Sequence, residues 1–221
     1  MRLSRFVAAL VVTALVAGGM LAAAAPAAAH PHVWIDLRTV ALLDAQGRLE
    51  GVRVEWLLDR FYSALAEEDM DTDGDKAVSP AEAQQWAENA FTNIASAGYF
   101  GEFLIDGRNY RPTKASDPVG HWVDGQIFMS FVIRPDEPAD PRKVAVGYMV
   151  YDSEFYIDVR HPDGPGFATV EGPGQEACTA AIGRSEPSPE VVATAAALDK
   201  DETAPTGLGR LFADYVKVTC R

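Results

Sequence analysis

A twelve-residue acidic segment of this 221-residue chain, residues 71–82, has the residue types and spacing of a calcium loop. Its oxygen-bearing positions 1, 3, 5, 7, 9 and 12 are Asp71, Asp73, Asp75, Ala77, Ser79 and Glu82. Calcium takes six to eight oxygen ligands, and the EF-hand loop supplies them from these positions, with a backbone carbonyl at 7 and a bidentate glutamate at 12. The segment therefore predicts bound Ca²⁺. The alternative is a solvated acidic turn that joins two helices.

The sixth position of the segment departs from the EF-hand pattern. Glycine is usual there because the loop turns sharply, whereas this chain has Lys76. A residue with a side chain costs about 1–2 kcal/mol in a left-handed conformation, and lysine adds a positive charge. We expect a weakened site, of the kind that extracellular modules use at roughly 10⁻⁴–10⁻³ M calcium.

The first 29 residues predict a secretory leader. A basic start with Arg2 and Arg5 precedes an apolar run over residues 6–23, and three alanines end at Ala29. These are the three regions of a cleaved signal peptide. The apolar stretch over residues 6–25 is also long enough to span a bilayer if it stays uncut. Cleavage after Ala29 would make His30 the first residue of a periplasmic or secreted protein.

A new amino terminus at His30 would place an α-amine and two imidazoles within three residues. His30, His32 and Asp36 share one face of an alternating strand, and His121 or His161 could complete a metal site. Such imidazole-rich ligation suits Zn²⁺, Ni²⁺, Co²⁺ or Cu²⁺. The alternatives are an exposed terminus without ligands, His121 at a strand start and His161 in an ordinary turn.

Charge and cysteine content narrow the class of protein. The net charge is −13 and falls to −15 without the two leader arginines, which argues against nucleic acid and anionic lipid as partners and suits cations. Acidity also serves solubility. Cys178 and Cys220 are the only cysteines, and an even number in an exported chain predicts a disulfide. A two-thiolate metal site is the alternative.

The remaining 192 residues predict one domain, residues 30–221, of the α+β class. An N-terminal hairpin is followed by helices over residues 59–68 and 79–96 that flank the acidic loop. Short strands follow from residue 98, with brief helices near residues 187–198 and 208–214 and a last strand over 215–220. The expected architecture is an antiparallel β-sandwich-like core with a helix–calcium loop–helix insertion at about 59–97 and short C-terminal helices.

A further group is aromatic and acidic: Tyr151, Asp152, Tyr156 and Asp158. We place it across a predicted hairpin, where it faces either the same site as His32 or ordinary sheet surface.

Several of these segments together resemble a family of exported bacterial proteins known as domain of unknown function 1007. The matching parts are residues 30–36, 54–56, 61–63, the acidic loop, residues 151–152 and 155–158, and both cysteines. The resemblance implies a periplasmic component of an uncharacterised transport system, often linked to nickel or cobalt exporters or permeases.

The leading hypothesis is a periplasmic divalent-metal-binding accessory protein for a membrane metal transporter or permease, with a structural calcium loop. We expect no enzymatic activity, because no motif places a nucleophile or a general base. The alternatives are a purely structural calcium-binding envelope protein and a histidine-brace copper enzyme or zinc hydrolase.

Overall fold

The computed structural model describes residues 31–198 and 204–221, so the predicted leader and His30 lie outside the described residues. The strands are β1 Val33–Leu43, β2 Leu49–Leu58, β3 Gly101–Ile105, β4 Arg108–Tyr110, β5 Lys114–Val123, β6 Gln126–Arg134, β7 Val146–Val150, β8 Ile157–Arg160, β9 Ala168–Glu171, β10 Cys178–Gly183 and β11 Tyr215–Cys220. The α-helices are α1 Arg60–Met70, α2 Pro80–Asn93 and α3 Pro189–Ala197, with 3₁₀ turns at Ile94–Phe100, Gln175–Ala177 and Gly209–Leu211. Within these ranges no helix has the length and apolar character to span a membrane. The protein is α+β, as the sequence predicts.

The first sheet has six strands, in the order β5-β6-β2-β1-β8, and β9 also pairs with β1. β1 is antiparallel to β2 but parallel to β8 and β9. The expectation of a wholly antiparallel core is therefore wrong for this sheet. The chain leaves for the second sheet and returns beside β1 in the same direction, and such a crossover makes a parallel pair.

The alternation predicted for β1 is confirmed. Val33, Ile35 and Leu37 are 3%, 3% and 1% exposed, whereas Trp34 is 50% exposed. Successive side chains of a strand point to opposite faces, so β1 has an inner apolar face and an outer face that carries Trp34 and Asp36.

The second sheet has five strands, in the order β10-β11-β7-β3-β4. Its inner side chains, Phe103, Tyr148 and Val216 among them, pack in one cluster with those of the first sheet. Cys178 and Cys220 lie opposite each other in the β10–β11 ladder and form a disulfide, as predicted.

The helical insertion is fastened to the first sheet at a glycine. A side chain at Gly120 of β5 would place its Cβ 2.1 Å from the Ala83 carbonyl oxygen and 2.7 Å from the Ala87 Cβ, both on α2. Glycine therefore permits the helix backbone to approach the strand directly. Because Gly120 pairs with buried Met129, α2 lies on the inner face of this sheet.

Two strands, β4 and β5, escaped the sequence analysis. β5 contains Pro118 and an Asp117 with a φ of 59°, and its register with β6 shifts between Ser116 and Val119. Proline in a sheet is confined to edges and bulges, and β5 is an edge strand. His121 lies near the end of β5, not at a strand start.

Candidate metal centre and adjoining cleft

The acidic loop brings three of its predicted ligands together. One carboxylate oxygen from each of Asp71, Asp73 and Glu82 lies within 4.8 Å of the others. Within residues 31–198 and 204–221 no other three histidine, cysteine, aspartate or glutamate side chains meet in this way. Three convergent carboxylates at the junction of two helices match the hard oxygen ligands that calcium requires.

Glu82 is held in place by four hydrogen bonds. The backbone N–H and hydroxyl of Ser79 donate to Oε2, both at 2.9 Å. Those of Thr72 donate to Oε1 at 2.6 and 2.8 Å. Hydrogen bonds from Ser79 and Thr72 lower the pKa of Glu82 to about 2, because they favour the ionised form. Glu82, the predicted ligand at position 12, is therefore a fixed carboxylate that joins the two ends of the loop.

In the rest of the loop, backbone N–H groups donate hydrogen bonds to the loop's own carboxylates. Asp71 Oδ1 accepts from the N–H groups of Gly74 and Asp75 at 2.8 and 3.1 Å, and Oδ2 accepts from Lys76 at 2.9 Å. The φ of Lys76 is 68°, the left-handed value expected at position 6. Asp75 Oδ1 accepts from the Ala77 N–H at 2.9 Å. Asp75 lies outside the group of three carboxylates. The roles of the Ala77 carbonyl and of Ser79 stay predictions.

At the start of β1 the His32 imidazole stacks on the Tyr156 ring, with centroids 4.6 Å apart and an interplanar angle of 23°. The His32 N–H donates to the Tyr156 carbonyl at 2.8 Å. Two residues further along each segment, Trp34 pairs with Asp158 in the parallel ladder. Tyr156 and Asp158 thus belong to the same region as His32.

Tyr151 and Asp152 are buried, and of the two Asp152 is bonded to the segment that contains Tyr156. The Tyr151 hydroxyl donates to Glu102, and Asp152 accepts from the N–H groups of Tyr156 and Ile157 at 2.9 and 3.1 Å. The expected hairpin is wrong, because β7 and β8 belong to different sheets.

The structure does not bring the other predicted transition-metal ligands to His32. Asp36 lies four residues along the extended chain, a span of about 13 Å. His121 is three strands away from Asp36 in the same row, roughly 14 Å, and stacks on Phe128. His161 is buried with both ring nitrogens in hydrogen bonds. The histidine site depends on His30 and stays a prediction.

His161 belongs to a buried polar chain that the sequence analysis missed. The Tyr148 hydroxyl donates to Thr39 Oγ1 at 2.8 Å, Thr39 Oγ1 lies 3.1 Å from His161 Nε2, and His161 Nδ1 lies 3.2 Å from Asp214 Oδ2. Burial raises the pKa of Tyr148, so its hydroxyl remains protonated and donates to Thr39 Oγ1.

The order hydroxyl, imidazole, carboxylate is that of a hydrolase triad, yet Thr39 is completely buried. A substrate cannot reach this hydroxyl in the structure. The chain of hydrogen bonds instead joins β1, β7 and the segment before β11. The only sequence signal for this buried polar chain is Thr39, a hydroxyl residue in the middle of a buried apolar strand.

Asp214 ends this chain and is itself buried, and Arg184 Nη1 donates to it at 2.7 Å. Burial alone would raise the pKa of Asp214, but hydrogen bonds from His161 and the charge of Arg184 bring it below its ordinary value. Nearby, burial raises the pKa of Asp158, and the Arg160 guanidinium opposes that shift.

The family model described as protein of unknown function (DUF1007) matches residues 15–220. The chain belongs to the DUF1007 family. An uncharacterized protein of Haemophilus influenzae is 24% identical over 198 residues, which cover 87% of this chain and 91% of that protein. No solved structure matches the chain.

The Asp214 and Asp158 carboxylates of this DUF1007 protein border a cleft of about 350 Å³. Trp34 and Asp36 from β1, together with Arg160 and Arg184, line the same hollow. The cleft therefore opens onto the outer face of the first sheet and combines an exposed indole with charges of both signs.

The buried polar chain generates a stability prediction. Thr39→Val keeps the side-chain shape but removes the hydroxyl between Tyr148 and His161, and leaves two buried polar groups without a partner. We expect the free energy of unfolding to fall by about 1–3 kcal/mol, measured by urea denaturation. Thr179→Val is the matched control, since its hydroxyl bonds to Thr219 at an exposed position and should cost within about 0.5 kcal/mol. Equal losses for the two variants would contradict a structural role for the chain.

Proposed function

We propose that this DUF1007 protein binds one Ca²⁺ in the loop of residues 71–82 and that the ion stiffens the helical insertion. The observation that carries the proposal is the convergence of Asp71, Asp73 and Glu82 within 4.8 Å. The net charge of −13 adds a general attraction for cations.

The way the insertion is anchored supports a structural role for this ion. α2 begins at the loop, and its Ala83 and Ala87 pack against Gly120 of β5. Ser79 and Glu82 form the capping box at the start of α2, so the position-12 ligand is also part of the helix terminus. Order imposed on the loop therefore passes directly to a helix that is fixed on the sheet.

Calorimetry tests the calcium site. The wild-type protein should bind one Ca²⁺, and Glu82→Gln should weaken binding at least tenfold, because a neutral amide replaces the bidentate ligand. Glutamine still fits the capping box, so helix α2 is retained. Glu68→Gln, exposed on α1 outside the loop, is the matched control and should bind as wild type does. Equal heats of calcium binding for Glu82→Gln and wild type would contradict a calcium site in this loop.

Lys76 allows backbone strain to be separated from charge. Its φ is 68°, and hydrogen bonds from the N–H groups of Gly74, Asp75 and Lys76 to Asp71 hold that turn, so we expect the conformational cost to fall on folding and not on calcium binding. Lys76→Gln and Lys76→Gly should therefore raise calcium affinity equally, about twofold to fivefold at low salt, through loss of a repelling charge. The thermal unfolding temperature of the protein measured without calcium should rise only for Lys76→Gly. A gain in calcium affinity for Lys76→Gly alone would instead mean that backbone strain opposes calcium binding.

We further propose that His30 and His32, at the amino terminus left by leader cleavage, bind a transition ion, Zn²⁺, Ni²⁺, Co²⁺ or Cu²⁺. The protein would then be a periplasmic accessory protein of a membrane metal transporter. The supporting observation is the His32 ring, fixed by its stack on Tyr156 beside Asp158 at the start of β1. A fixed imidazole next to a predicted free α-amine and second imidazole at His30 would give a nitrogen-rich site.

Titration of Zn²⁺ into protein that begins at His30 tests this site. His32→Ala should lose binding, and so should a variant with one residue added before His30, because the amine is moved. His121→Ala, an exposed histidine on β5, is the control and should leave affinity unchanged. Full affinity in both test variants would contradict the proposal.

A further inference from the structure

An apolar groove of about 440 Å³ adjoins the charged cleft on the outer face of the first sheet. Asp36 and Pro162 line both hollows. The apolar lining of the groove comes from Leu57, Val123, Phe128 and Phe167. Small-molecule sites are of this size and combine an apolar lining with a few polar groups.

The strand register builds this arrangement. Asp36 of β1 pairs with Leu57 of β2, and Leu57 pairs with Phe128 of β6. Residues paired across adjacent strands lie on the same face, about 5 Å apart. A carboxylate therefore stands at the end of a row of apolar side chains, and Val123 and Phe167 flank the row.

The charges around the two hollows are paired, with one exception. Arg38 bonds to Glu55 at 2.6 Å, Arg160 to Asp158 at 2.7 Å, and Arg184 to Asp214 at 2.7 Å and to Asp163 at 3.2 Å. Asp36 is exposed and has neither a salt bridge nor a hydrogen bond to any residue in the described ranges 31–198 and 204–221. Arg160 lies opposite it in the β1–β8 ladder, but its guanidinium bonds to Asp158.

A carboxylate without a direct ionic partner at the junction of the two hollows favours a positively charged group there. Trp34 lines the cleft on the same strand face and is 50% exposed. An exposed indole face adds a cation–π contribution for an ammonium group. The groove next to Asp36 offers the remainder of the ligand an apolar surface.

We propose that this face binds a small organic cation, an aryl-alkyl ammonium compound, with its apolar part in the groove and its ammonium group on Asp36. The site is separate from the calcium loop. α2 packs on the inner face of the sheet at Gly120, and the groove lies on the outer face.

Binding of 4-phenylbutylamine, followed by calorimetry, tests the proposal against two probes of the same shape, neutral 4-phenylbutan-1-ol and anionic 4-phenylbutyrate. The amine should bind most tightly and the carboxylate most weakly. Asp36→Asn should reduce amine affinity about threefold to fivefold, as expected for an ion pair at the edge of solvent, and leave the alcohol unchanged. Leu57→Gln should weaken both the amine and the alcohol.

Two controls keep the result specific. Asp106→Asn removes the same charge at an exposed turn of the second sheet, where the φ of 49° also suits asparagine, and should bind the amine as wild type does. Glu82→Gln should do the same, so that failure of the calcium site and of this site are distinguished. Equal affinity for the three probes, no binding of any, or equal effects of Asp36→Asn and Asp106→Asn would overturn the proposal.

Discussion

The register of β1 is the constraint on which the rest of the structure depends. This strand pairs with β2 on one side and with β8 and β9 on the other, and it carries core residues inward and site residues outward. A shift of one residue would exchange the two faces, burying Trp34 and Asp36 and exposing Val33 and Ile35. The apolar side chains that settle the register therefore also settle which groups reach the cleft.

The inner face of β1 makes polar contacts as well as apolar ones, through Thr39. It is the one hydroxyl among the inner residues of this strand, and it links Tyr148 of the second sheet to His161, which follows β8. A buried polar chain is costly unless each member has a partner. The pairing of the sheets, the parallel return of β8 and the position of Asp214 must therefore all be correct at once, so the chain specifies the arrangement of the two sheets.

The sequence predicts local features well and distant ones poorly. The acidic loop and the alternation of β1 each lie within about a dozen residues, so spacing alone reveals them. The parallel β1–β8 ladder and the contact of Thr39 with His161, 122 residues apart, depend on chain crossovers that no local pattern encodes. β5 was missed because Pro118 and the bulge beside it break the strand pattern.

Lys76 refines what the loop sequence implies about calcium. A residue with a side chain at position 6 would weaken binding if the loop had to adopt its left-handed turn around the ion. In the structure the turn is held by the Lys76 N–H on Asp71 and by neighbouring hydrogen bonds within the loop. At the proposed calcium site the cost would therefore belong to folding, and binding would have to displace some of the four hydrogen bonds that hold Glu82. Under this proposal Ser79 and Thr72 would oppose calcium more than the missing glycine does.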